Sequence, residues 1–210
     1  EYSTAECLNP LDLVAQDKVS ELIMREALAV FNRDFGQKEG LRLYIHKNNS
    51  DGHGNSWGSH LNMLLSRKAV GTERALKNLM IHYIPFQISR IILVGSGKVG
   101  SENGRADCEF QMSQRADFFE EIYGSATMEH RPIFNLRDEP HADSEKYFRL
   151  HDISSDALMC ETAIFLRVAL TQIVLAMIED NFWNENLLPD DPVNAMMRIS
   201  RDLKFKDGIS

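Results

Sequence analysis

Arg137, Asp138, Glu139 and His141 open the stretch NLRDEPHADSEKYFRLHDI, residues 135–153, and Arg149 and His151 follow within it. Such a set does ionic chemistry. Guanidinium forks match carboxylate and phosphate oxygens two at a time, imidazole moves protons or binds metal, and carboxylates hold hard cations such as Mg²⁺. A solvated loop would hold the first four residues at little cost. It explains the last two less well, because the period of two in an extended chain puts Arg149 and His151 on one strand face and Leu150 on the other. Two basic side chains on one face predict a surface that binds anions or walls a polar cleft.

Two glycine-rich segments invite comparison. KNNSDGHGNSWGSH places Gly52, Gly54 and Gly58 among hydroxyl, amide and imidazole side chains ending at His60. It reads equally as a phosphate-cradling loop or as a long hairpin connection. GSGKVG at 95–100 fails as a phosphate loop of the GxxxxGK[ST] kind, since Ile92 and Val99 stand where glycine and a hydroxyl are needed.

Several elements must position these residues. Asn9-Pro10 predicts a capped helix of about 20–25 residues with Gly36 beyond its end. Residues 41–46, LRLYIH, alternate as a half-buried strand should, and a second strand is expected near Leu61 to Ser66. A helix is expected over Thr72 to Ile84, then a strand into Leu93. Another helix is predicted from about Met159 to Asp180, with Ala163, Leu166, Leu170, Ile173, Val174 and Met177 on its apolar face. These elements predict an α+β chain, a single unit over 1–210, in which a mixed, largely antiparallel sheet is backed by helices.

The formal net charge of −8 argues against non-specific attraction to nucleic acid or an anionic membrane. The sequence shows no apolar run of the roughly 18 to 20 residues that spans a bilayer and no signal-peptide pattern, so a cytoplasmic location is expected. Cys7, Cys108 and Cys160 are odd in number and widely spaced. They suggest neither disulfides nor a zinc site, and are read as buried reduced thiols.

Taken together and in order, EYSTAEC, KNNSDGHGNSWGSHLN, SQRADFFEE and RPIFNLRDEPHADSEKYFRLH resemble the Pup-processing family of Pup ligases (PafA) and Pup deamidases/depupylases (Dop). The resemblance runs from Glu1 to about Asp202. It implies a glutamine-synthetase-like fold whose curved sheet forms a funnel, ATP (or ADP plus phosphate) and Mg²⁺ as cofactors, and Pup or pupylated proteins as partners. By resemblance Glu1 and His151 are metal ligands, Thr4, His60 and Asn62 contact nucleotide, and Arg137 and Arg149 contact substrate. The family's catalytic aspartate is expected upstream of Glu1, with a missing segment or a second chain completing the site. ECLNPLDLVAQDK and EFQMSQRADFFEE favour the deamidase branch, which hydrolyses an amide at Pup's C-terminal residue, whereas GNS and SAT favour the ligase branch. Two departures stand out. Leu61 replaces the glutamate of a His-Glu-Asn motif, and Leu158 an expected asparagine. If they face the cleft, metal or substrate handling differs from the family pattern, and a non-catalytic binding homologue becomes an alternative.

Overall fold

The computed structural model describes residues 2–182 and 185–206. The N-terminal helix α1 (Pro10–Phe31) begins where the capping signals place it, with Asn9 Oδ1 accepting from Asp12 N at 3.0 Å and Pro10 in the first turn. Gly36 does not lie beyond the end, as its type suggested. The helix passes through a π-helical turn (Asn32–Gly36) into the short α2 (Gln37–Glu39) and stops at Gly40, whose φ of 65° is left-handed. Gly36 serves close approach instead, since a Cβ there would sit 2.6 Å from the Leu41 carbonyl oxygen.

The half-buried strand expected over 41–46 is corrected. The segment is irregular and has no strand partner among the described residues. It runs beside α1, where the Asn32 side-chain amide takes both backbone groups of Leu43 and Lys47 pairs with Asp17 and Glu21 at 2.6 and 2.8 Å. Alternation describes an extended chain with two faces, but a ladder also needs a neighbour. Leu41, Leu43 and Ile45 stay exposed.

The main sheet has the order β1-β6-β5-β4, formed by β1 (Leu61–Ser66), β6 (Tyr147–Asp152), β5 (Arg131–Asn135) and β4 (Phe119–Gly124). β1/β6 and β6/β5 are antiparallel and β4/β5 parallel, so the expected α+β, largely antiparallel class is present. A two-stranded ribbon, β2 (Lys98–Val99) with β3 (Phe110–Gln111), stands apart. Short α3 (Arg67–Val70) follows β1.

Helix α4 (Glu73–Val94) corrects two readings, for it neither stops at Ile84 nor gives way to a strand. Pro85 lies inside it, although an interior proline costs roughly 3 kcal/mol. Tertiary packing overrides that cost: Leu79, Tyr83, Ile84, Ile88 and Ile91 form one buried stripe against Leu65, Phe134, Phe148 and Leu150 of the sheet. The β-branched run after Pro85 looked strand-like only because its helical partners are distant in sequence.

Helix α5 (Glu161–Glu179) packs on α4 and α1, and α6 (Pro192–Arg201) closes over α4. The buried face of α5 is Ile164, Arg167, Val168, Thr171, Leu175 and Ile178, so the stripe expected from Ala163, Leu166, Leu170, Ile173, Val174 and Met177 is rotated, and Ile173 is exposed. The true stripe is interrupted by two polar residues that bond in the interior. α5 also corrects the reading that no segment has the length and apolar character of a bilayer span: its 19 residues do. None of the three thiols is fully buried. Cys7 and Cys108 are half-buried and Cys160 is exposed at the start of α5.

Candidate functional site

β6 divides the sheet into two surfaces. Phe148, Leu150 and Asp152 point to the helices, whereas Tyr147, Arg149 and His151 point to the open face. The register completes that open face: Asn62 of β1 and Asn135 of β5 flank His151 on either side, and Leu64 lies across from Arg149. His60, one residue ahead of β1, brings its Nδ1 to 3.1 Å from His151 Nε2, with the rings edge to face. The structure therefore assembles His60, Asn62, Arg149 and His151 on one surface, as the sequence reading expected.

Arg137 follows Asn135, whose Oδ1 accepts its backbone N–H at 2.9 Å. Its Nε lies 3.0 Å from Glu139 Oε2, and Arg149 Nη2 lies 3.9 Å from the same oxygen. Two guanidinium groups thus converge on one exposed carboxylate. Arg149 Nε is buried without a hydrogen-bond partner among the described residues, and so is His151 Nδ1. Burial foremost, then His60 and Arg149, with Arg137 adding, pushes the pKa of His151 down to about 4. His151 is therefore held neutral at physiological pH.

Arg67, which the sequence reading passed over, holds this arrangement from the side. Its guanidinium reaches Asp138 at 2.6 Å and the carbonyls of Ser144 and Tyr147, while Asp138 Oδ1 accepts from Arg149 N. Its signal was position, an arginine directly after a strand. Asn135 was legible in principle, since it closes the period-two run of β5.

Behind β6 a different network centres on Asp152, whose carboxylate is fully engaged, although Gln87 Oε1 is left without a partner among the described residues. Asp152 pairs with Arg90 at 2.7 Å and accepts from Tyr83 Oη, Gln87 Nε2 and Ser154, and Arg90 together with the Ser154 hydrogen bonds holds its carboxyl well below the usual range despite complete burial. Arg115, of the SQRADFFEE stretch, is buried and donates to the Ile153 carbonyl. Its burial pushes its pKa down to about 10.

The remaining candidates fall elsewhere. Thr4 is exposed in the irregular segment before α1 and has no hydrogen bond to the sheet among the described residues. Glu1 lies outside the described residues. The glycine-rich stretch is neither a connection between two paired strands nor an open cradle but a loop closed on itself: Ser50 and Ser56 bridge, Asp51 accepts from the amides of His53 and Asn55, and Glu102 takes the Ser50 hydroxyl and the Gly54 amide. Two carboxylates occupy the donors a phosphate would need. Leu61 faces the helices, 3% exposed, and Leu158 is buried with Val94 and Ile164, so neither departure faces the cleft.

A nucleotide's phosphates fit the open face, where arginine, imidazole and amide donors gather. Mg²⁺ does not fit it: the ion takes oxygen ligands, and no group of three His, Cys, Asp or Glu among the described residues could hold a metal. His151 moreover has its Nε2 committed to His60.

The model of the family described as Pup-ligase protein matches residues 1–210. This chain belongs to the Pup-ligase family. The member is 44% identical to a depupylase of Acidothermus cellulolyticus over 99% of the chain and 41% of that relative, and 41% identical to a Pup–protein ligase of Renibacterium salmoninarum over 97% and 43%. A solved structure of the Pup ligase PafA in complex with ADP superimposes with a TM-score of 0.83 at 36% identity, over 96% of this chain and 43% of that one. The chain thus spans about two fifths of the length of the relatives it matches. Like PafA, this family member has the glutamine-synthetase-like class of fold.

Proposed function

We propose that this chain supplies the nucleotide- and carboxylate-binding face of a cytoplasmic Pup-processing enzyme, of the branch that hydrolyses the amide joining Pup to a lysine or deamidates its C-terminal glutamine. One observation carries the reading: Arg137 and Arg149 converge on a single carboxylate oxygen beside a neutral histidine, and Arg149 keeps a buried donor unspent. A pair of guanidinium groups so placed suits a glutamate side chain or a phosphate. His60 and Asn62 orient the nucleotide in this reading, and Arg137 and Arg149 take the Pup carboxylate. Support comes from the relative named depupylase and from a PafA structure solved with Pup. Mg²⁺ enters only with oxygen ligands beyond the described residues, Glu1 among the candidates.

The ligase branch is the second reading, favoured by the 41% identity to a named Pup–protein ligase. Incubating the protein with a pupylated substrate and, separately, with free Pup ending in glutamate, an acceptor protein and ATP separates the two. Release of free Pup supports the hydrolase. Conjugate formation with ATP turnover supports the ligase, and neither product over hours at micromolar protein removes both in favour of a binding role.

A further inference from the structure

Helix α5 buries an arginine in the middle of its apolar face. Arg167 is 4% exposed, and its Nε has no hydrogen-bond partner. Such burial is expensive unless the charge is put to use. Its Nη1 donates to Ser59 Oγ at 2.8 Å and to the Asp156 carbonyl at 3.2 Å. Those two acceptors lie just ahead of β1 and just past β6, beyond the last registered pair, Leu61 with Asp152. Ser59 immediately precedes His60, and His151 immediately precedes Asp152. The guanidinium therefore ties together the two strand ends that carry the histidines, at the point where the ladder has stopped.

Gly58 completes the arrangement. A Cβ there would stand 2.3 Å from His60 Nε2 and 3.3 Å from Arg115 Nη1, although its backbone is not left-handed. Space for the His60 ring, rather than conformational freedom, requires glycine at this position. We infer that Arg167, through Ser59, and Gly58 are positioning residues that set the His60 ring against His151.

The test uses ring-nitrogen NMR shifts of His60 and His151 at one fixed pH, together with ADP affinity and melting temperature. The ADP measurement rests on the nucleotide reading above, whereas the NMR measurement does not. Ser59→Ala and Gly58→Ala should shift both histidines while Tm stays within about 3 °C of wild type, and should weaken ADP binding by about 5- to 30-fold, the scale of one or two lost hydrogen bonds. Arg167→Met should shift both rings as well. Arg167→Lys, which keeps one charged donor, should return the shifts towards wild type. Histidine shifts that do not move in Ser59→Ala and Gly58→Ala would overturn the inference. Shifts that move while ADP affinity holds would support the brace and remove His60 from nucleotide binding.

Discussion

Asp152 and His151 are neighbours on one strand, yet their surroundings are opposite. Behind the strand, Asp152 meets Arg90, Tyr83, Gln87 and Ser154, and both members of its ion pair are almost wholly buried. In front of it, His151 Nδ1 and Arg149 Nε have no partner among the described residues, and Arg137 pairs with an exposed glutamate. Buried polar groups are costly unless satisfied, so a carboxylate as fully bonded as that of Asp152 serves to hold the fold. Capacity left unspent on the other face is what a ligand would complete. On this strand the two neighbours differ in bonding: Asp152 has its partners, whereas His151 keeps a ring nitrogen open among the described residues.

The largest effect should come from behind the strand. Asp152→Ala leaves Arg90 buried without its counter-charge, and unfolding in denaturant should show a loss of about 3–5 kcal/mol. An effect below about 1 kcal/mol would erase the contrast between the faces. Leu158→Asn, which restores the expected family residue, should cost about 2–4 kcal/mol by placing an amide among Val94, Ile164 and the flank of α1. A neutral outcome there would place position 158 at the cleft after all.

Acid should sharpen the comparison further. His151, held at about 4 against an ordinary 6.5, takes up its proton more readily in the unfolded chain. Its contribution to stability is complete above about pH 6.5 and is lost as pH falls from there towards 4. Asp152, whose carboxyl is held down, keeps its contribution throughout that window and loses it only below the ordinary carboxylate range. Denaturation at pH 7 and pH 4.5 should therefore show a smaller difference in His151→Gln than in wild type.

How legible all this was depended on whether a residue's partners were local. The Asn9-Pro10 cap, the β1 segment and the face shared by Arg149 and His151 follow from spacing, and each stands where spacing put it. His60 and Asn62 entered only through the family resemblance, and their place beside His151 comes from the register of β1 with β6. Partners far away in sequence defeated the reading elsewhere. α4 continues through Pro85 because the sheet supports it, and residues 41–46 do not pair because alternation says nothing of a neighbouring strand. Arg167 and Arg67 were silent for the same reason, since their acceptors lie across the molecule. A charge inside an apolar helix was nevertheless a visible signal.

The smallest expected effect on stability belongs to Arg137. Its exposed pair with Glu139 should contribute well under 1 kcal/mol, so Arg137→Lys should melt like wild type. For binding, the reverse holds, because lysine cannot reproduce the fork that grips a carboxylate or phosphate. Calorimetric titration of Arg137→Lys and Arg149→Lys with ADP and, separately, with a peptide ending in Pup's glutamate is the most direct measurement of the open face. A loss of about 1.5–3 kcal/mol for at least one of the two ligands, roughly 10- to 150-fold, with Tm unchanged, is the predicted result. Wild-type affinity for both ligands in both variants would contradict it and return the face to a solvated surface.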